Sequence, residues 1–139
     1  MENKVRVIVD TNIIFSALRS KKSSLRGILL KEEYSFHAPN YIIFEIFKHK
    51  EDIFKKAKAS EDEIYEFLNL VLQKIHFISE EFVSKENRIK AYKLCKDVDE
   101  DDTPFVALSL EFEAKLWTGD KKLKKDLTLK GFDNFFIPS

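Results

Sequence analysis

The sequence predicts a three-layer α/β/α sandwich around a mostly parallel, five-stranded sheet, and three observations carry that expectation. Short β-branched or aromatic runs alternate along the chain with longer stretches of helical periodicity, the pattern of βαβ units. The first run, Val5-Arg6-Val7-Ile8-Val9, is almost continuously apolar, as suits a strand covered on both faces. Only 3 Gly and 3 Pro occur, too few turn formers for an all-β sandwich or barrel. A length of 139 residues supports one full hydrophobic core, so residues 1–139 are expected to form a single domain.

Val5 to Val9 is the central first strand, ending at Asp10. Thr11-Asn12 caps a helix carrying Ile13, Ile14, Ala17 and Leu18, and Ser23-Ser24 starts a second helix with Leu25, Ile28 and Leu29. Ser35 to Ala38 is a short second strand, and Pro39 stands at the start of a helix whose apolar face is Ile42, Ile43, Ile46 and Phe47. Lys48 to Lys58 reads as a solvated helical face. Ser60-Glu61-Asp62-Glu63 then opens, as a capping box, an amphipathic helix with Ile64, Phe67, Leu68, Val71 and Leu72. Ile75 to Ile78 is the third strand, Phe82 to Leu94 a helix, Thr103 to Glu113 an apolar helix, and Lys115 to Thr118 the fourth strand, ending at Gly119-Asp120. A lysine-rich helix around Leu123 and Leu127 closes at Gly131 as C-cap, and Asn134 to Ile137 is the fifth strand.

Composition narrows the function. Charged residues make up 35% of the chain, yet 24 Lys+Arg balance 24 Asp+Glu, so nucleic-acid binding would need a local basic patch rather than a basic protein. The lone Cys95 excludes an internal disulfide and a Cys-rich zinc site; it is expected to be a small core residue in a reducing compartment. No apolar stretch approaches bilayer length, and the run from Val5 is too short for a signal peptide, so a cytoplasmic protein without membrane contact is expected. Gly27, Gly119 and Gly131 form no phosphate-binding loop, and His37, His49 and His76 have no metal-ligand or triad spacing. Trp117, Phe105 and Phe135-Phe136 occupy apparent core positions, which favours packing over base stacking.

The chemistry lies in the acids. Asp10 and Asp120 each follow a strand, and in open parallel sheets ligands collect beyond the carboxyl ends of strands, so the two are expected to converge. Asp102 stands at the entrance of the helix beginning Thr103-Pro104, and Glu45, between Phe44 and Ile46, sits early in the helix after the second strand. Carboxylates brought together repel one another unless a cation joins them. Oxygen donors without a Cys or His cluster favour Mg²⁺ or Mn²⁺ over Zn²⁺, and such ions suit phosphodiester hydrolysis. Each acid also has a plainer reading when taken singly: Asp10 and Asp102 as helix caps, Glu45 as the boundary of an amphipathic face, Asp120 as a turn residue.

The segments Val-Asp10-Thr-Asn12-Ile-Ile-Phe, the helix with Glu45, Asp102-Thr-Pro-Phe-Val-Ala-Leu and Leu-Trp-Thr-Gly-Asp120 together resemble the PIN-domain family across almost the whole chain. They are most similar to its VapC-type branch, the toxins of prokaryotic toxin–antitoxin pairs. The resemblance implies a metal-dependent endoribonuclease in which Asp10, Glu45, Asp102 and Asp120 surround Mg²⁺ or Mn²⁺, with Asn12 and Thr118 supporting the ligands or water. Within Asp99-Glu100-Asp101-Asp102 the register is ambiguous. Asp102 has the family spacing to Pro104-Phe105-Val106-Ala107-Leu108, with Asp99 and Asp101 as alternatives, while Asp126 is a peripheral acid or a solvated helix position. The resemblance further implies an RNA substrate, a cognate antitoxin and a homodimer. Lys121, Lys122, Lys124, Lys125, Arg19, Lys21 and Lys22 offer phosphate contacts or simply solvated faces. Two rival classes remain: another Asp-dependent Mg²⁺ α/β protein, such as a receiver-like phospho-acceptor or a phosphatase, the latter disfavoured because Asp-Thr-Asn lacks that motif's second Asp, and a non-catalytic interaction domain on the same scaffold.

Overall fold

The computed structural model describes residues 4–19, 24–57 and 60–138. Strand β1 (Val5–Val9) is followed by helices α1 (Thr11–Arg19) and α2 (Ser24–Leu29). Strand β2 (Tyr34–Pro39) precedes α3 (Ile42–Lys48), α4 (Lys50–Lys56) and α5 (Glu61–Lys74), and β3 (Ile75–Ile78) precedes α6 (Lys85–Cys95) and α7 (Thr103–Phe112). Strand β4 (Lys115–Trp117) and α8 (Lys121–Leu129) complete the elements. The sheet has the order β3-β2-β1-β4 with every pairing parallel; Val7 faces Phe36 on one neighbour and Lys115 on the other. The chain runs outward from β1 through β2 and β3, then returns to lay β4 on the opposite side of β1. Such a reversal opens a crevice at the carboxyl ends of the strands on either side of it.

Val7, Ile8 and Val9 are each fully buried, so both faces of β1 are covered, as its continuous apolar run predicts. Burial of each such side chain contributes about 1.5–3 kcal/mol of transfer free energy. Helix α7 packs against β1, β2 and β4, while α1 packs with α2, α4 and α5. The α1 face is the one read from the sequence, Ile13, Ile14, Ala17 and Leu18. Ser60 caps α5 as expected, its hydroxyl accepting the Glu63 N–H at 3.2 Å. Gly131 has φ 94° and ends α8, with its N–H bonded to Thr128 O and the Phe132 N–H to Leu127 O; this Schellman turn tucks Phe132 into the core. Cys95 is a buried core residue, and burial, then the charge of Asp102, pushes its thiol up to about 11. No helix among the described residues is long and apolar enough to cross a membrane.

Several expectations are corrected. The fifth strand, Asn134 to Ile137, reduces to a single bridge between Leu116 and Phe135. Its two ladder bonds are Leu116 N–H to Asn134 O and Phe136 N–H to Leu116 O, and Pro138, the next position in that register, has no N–H to continue them. Pro39 ends β2 instead of starting a helix, and α3 begins at Ile42. Phe47 does not belong to the buried face of α3: it is 47% exposed, whereas Ile42 and Ile46 are buried. The predicted helix Phe82 to Leu94 divides into a 3-10 turn, Glu80–Phe82, and α6, because the Ser84 hydroxyl accepts the Asn87 N–H and sets a new N-cap. Ser23, read as a helix start, and Lys58, read as the end of a charged stretch, lie outside the described residues; Lys50–Lys56 of that stretch form α4 with Ile53 buried.

Arg26 joins three helices. Its Nε and Nη2 donate to Ala17 O at 2.6 Å and Leu18 O at 3.0 Å in the last turns of α1, and its guanidinium lies 4.1 Å from the centroid of Phe67 on α5. Arg26→Ala is expected to lower stability by about 2 kcal/mol in urea denaturation. Arg26→Lys should recover little, since one ammonium cannot meet both carbonyls and lie flat on the ring; a loss below about 0.5 kcal/mol on Arg26→Ala would count against this role.

His37, in β2, stacks on His76 of β3 with centroids 5.0 Å apart, and its Nδ1 is buried without a hydrogen-bond partner. Burial first, then the charges of His76 and Arg6, lower its pKa to about 4. The unfolded chain therefore takes up this proton near pH 6.5, before the folded chain does, and stability is lost as pH falls from there toward 4. The expected loss is roughly 2 kcal/mol, and His37→Phe should abolish that portion of the acid limb in denaturation measured across the window.

Candidate active site

At the carboxyl edge of the sheet Asp10 occupies the turn from β1 into α1. Its N–H bonds Trp117 O at 3.0 Å, which keeps it aligned with β4. Oδ1 accepts the Asn12 N–H at 3.0 Å, and Oδ2 accepts the Thr118 hydroxyl at 2.8 Å. Asp10 is only 6% exposed and Thr118 2%. The helix-cap reading and the site reading of Asp10 are thus compatible, because one carboxylate caps α1 and borders the cleft. Thr118 is itself positioned by the Asp120 N–H, which donates to Oγ1 at 3.1 Å. A chain of directed bonds therefore runs from the start of α8 through β4 to β1.

A cleft of about 530 Å³ opens beside Asp10, lined by Asp10, Glu45, Asp99, Glu100, Asp101 and Asp102 together with Tyr41, Asn12 and Pro104. Six carboxylates on one cleft make a strongly negative field. The ambiguous acidic run resolves into different roles. Asp99 Oδ1 accepts the Asp101 N–H at 3.0 Å, which winds Glu100–Asp102 into a 3-10 turn. Asp102 occupies the N-cap position of α7, but its side chain makes no capping bond there, so its carboxylate is left to the cleft. Burial, then the like charges of Asp10, Asp99, Asp120 and Asp101, push Asp102 up to about 7. Asp99 and Asp101 are exposed, whereas Asp102 is half-buried.

Glu45 lines the cleft from α3, and its Oε2 lies 3.4 Å from His49 Nε2. Asp120 is peripheral: its Oδ1 caps α8 through the Leu123 N–H at 3.0 Å, and it does not line the cleft, although its charge reaches Asp102. Asn12 contributes its backbone N–H to Asp10, while its side chain is exposed at the cleft. Asp126 lies farther along α8, away from the cleft lining. Lys121, Lys122 and Lys125 are exposed and Lys124 half-buried on α8, and Arg19 is in the last turn of α1; Lys21 and Lys22 lie outside the described residues. Trp117, Phe105 and Phe136 are buried as packing residues, and Phe135 packs edge-on against Phe132.

Two residues escape a reading confined to acids: Tyr41, in the cleft lining, and His49, which reaches it through Glu45. Tyr41 lines the cleft, packs edge-on against Phe105, and has its phenol pushed up to about 12 by burial and by Glu45, Asp101, Glu80 and Asp102. His49 pairs with Glu45 and packs edge-on against Phe15. Their signal in the sequence is the spacing Tyr41, Glu45, His49, four residues apart, which puts all three on one helical side.

Among the described residues no three acidic, His or Cys side chains come close enough to form a finished metal-ligand set. The donor chemistry nevertheless suits a hard divalent cation. The side chains are oxygen donors; burial first, and then the neighbouring carboxylates, raise Asp102 to about 7, and a bound cation would offset both by favouring its charged form. Comparison with known proteins adds one match: the family model for the PIN domain covers residues 8–131, from β1 to the glycine that closes α8. No curated protein matches the chain.

Proposed function

Because the chain belongs to the PIN-domain family, whose members are generally nucleases, we propose that it is a divalent-cation-dependent endoribonuclease. The observation that carries this reading is the buried, doubly hydrogen-bonded Asp10 beside the uncapped Asp102 in a cleft lined by carboxylates. Asp10 and Asp102 would hold the cation, Glu45 would complete the set or orient water, and Asp120, at the periphery, would add its charge. Mg²⁺ or Mn²⁺, when bound, supplies charge neutralisation at the phosphate and a lower pKa for water.

The chain's own contribution is positioning. Thr118 and the Asn12 N–H fix both oxygens of Asp10, so little side-chain entropy is lost when the carboxylate is used. Asp120 Oδ1 caps α8, and the Asp120 N–H holds Thr118 in place against Asp10. Glu45, paired with His49, would accept a hydrogen bond from a water in line with the scissile bond. The water oxygen bonds phosphorus as the bond to the leaving nucleoside oxygen breaks, leaving one phosphate monoester and one hydroxyl.

The motif resemblance supports the narrower assignment to the toxin side of a cytoplasmic toxin–antitoxin pair, restrained by a cognate antitoxin and assembled as a homodimer. The direct test is to incubate purified protein with single-stranded and structured RNA in Mn²⁺, Mg²⁺ or EDTA. Internal cleavage that requires either cation is expected. Absence of cleavage on every RNA in both cations would overturn the assignment and leave an interaction scaffold.

A further inference from the structure

One face of α6 carries cationic and apolar side chains that lie outside the acidic cleft. Lys85, Arg88, Ile89, Tyr92, Lys93 and Lys96 recur at steps of three and four residues and so stand on one side of the helix, while Ala91 and Cys95 on the other side are buried. The six line a shallow groove of about 550 Å³ without an acidic residue in its lining. All six are exposed, including Ile89 at 45% and Tyr92 at 48%. The salt bridges among described residues involve Lys4, His49, Lys56, Lys74 and Lys130, and none of the four α6 cations. In a chain of formal net charge +0, this is a concentrated positive face beside a strongly negative cleft.

The two surfaces meet. Arg88 also lines a small hollow with Thr103 and Pro104 at the start of α7, and Pro104 lines the carboxylate cleft. From Lys85 to Lys96 the stripe extends for about 16 Å at 1.5 Å per residue, long enough to hold more than one phosphate. Tyr92 and Ile89 lie amid the cations and present apolar surface to a base, a combination that suits an unpaired strand better than a duplex, whose bases are stacked away.

We propose that this face of α6 is the track for the single-stranded RNA cut in the cleft. Lys85, Arg88, Lys93 and Lys96 neutralise backbone phosphates, Tyr92 stacks a base, and Arg88 marks the passage toward Asp102. This rests on the nuclease reading for the destination of the strand. An acidic peptide would meet the same charges, but only a phosphodiester substrate has to continue through the junction at Arg88 into the cleft.

The test is fluorescence anisotropy of a short labelled single-stranded RNA in EDTA, where cleavage is suspended, over a range of salt concentrations. The triple variant Arg88→Glu, Lys93→Glu, Lys96→Glu is expected to bind at least tenfold more weakly (about one decade in Kd), with a slope of log affinity against log salt shallower by about 2, from roughly 0.7 per lost phosphate contact. Tyr92→Ala should weaken binding about tenfold with the slope unchanged. The corresponding Gln triple, with thermal melting recorded beside it, should shift both quantities in the same direction and guards against misfolding caused by charge reversal. Unaltered affinity and slope in folded triple variants would overturn the track. Binding of polyglutamate that is lost in the variants while RNA binding persists would also overturn it, in favour of an acidic protein partner. Cation-dependent cleavage by the wild type together with α6-independent binding removes the track and leaves the nuclease; α6-dependent binding without cleavage by the wild type does the reverse.

Discussion

Asp10→Asn is expected to reduce RNA cleavage at least a thousandfold, about 4 kcal/mol of transition-state stabilisation, without unfolding the protein. Asparagine matches aspartate in shape and keeps an oxygen for the Asn12 N–H, so the cap on α1 survives. The other atom becomes an amide nitrogen facing Thr118, whose hydroxyl oxygen accepts the Asp120 N–H and has a second lone pair with which to accept the amide. The rearrangement leaves the hydroxyl proton without its former acceptor, a cost of about 1 kcal/mol. The anionic donor is lost outright. Asp10→Ala is a poorer test, since it removes the cap as well and mixes instability with lost chemistry. Single-turnover cleavage and thermal melting of Asp10→Asn decide the matter: full activity with unchanged cation dependence would sink the assignment of Asp10.

Asp102→Asn should behave in the opposite way on stability. In the unfolded chain Asp102 releases its proton near its ordinary 3.8, whereas in the fold it retains the proton to about 7, so the folded state binds more protons between those values. Stability is accordingly lost as pH rises from about 4 toward 7, and the full penalty applies above 7. Asparagine carries no such charge. At pH 8 in EDTA the variant is expected to be more stable than the wild type by about 1–2 kcal/mol after allowance for solvent screening, with the gap closing near pH 4. Cation binding should reverse the order: at about a hundred times its dissociation constant, Mn²⁺ stabilises the wild type by about 2.7 kcal/mol, and a variant lacking one anionic donor by less. Melting temperatures in EDTA and in Mn²⁺ across that pH range provide the measurement. A variant less stable than the wild type in EDTA at pH 8 would contradict the electrostatic account. Cleavage should fail in this variant even though the fold is firmer, a trade of stability for function of the kind expected at a charged site.

Much of the architecture was legible along the chain because its signals are local. The run Val5–Val9, the capping box at Ser60 and the glycine at the end of α8 each act through neighbours a few residues away. Errors arose where a local signal had a competitor. Pro39 suits either a strand end or a helix start, and the pairing of β2 with β3 decided for the strand. Asn134 to Ile137 has strand composition, but Pro138 lacks the N–H that would extend its pairing with β4 beyond one bridge. The basic stripe of α6 leaves no amphipathic signature along the chain, because Ile89 and Tyr92 lie on its exposed side.

By itself the sequence determined the α/β class, the central position of β1 and the identity of the acids that close its strands, since apolar periodicity and cap residues are written in consecutive positions. Only the tertiary structure decided which acids meet. Asp10 and Thr118 are separated by 108 positions and become hydrogen-bonded because β4 returns to the side of β1 opposite β2. Within the acidic run, likewise, the fold ties the Asp99 carboxylate into a local turn and leaves the Asp102 carboxylate without a capping bond. Hydrogen-bond partners and burial are set by the packing of distant segments, and no spacing of residue types along a chain encodes them.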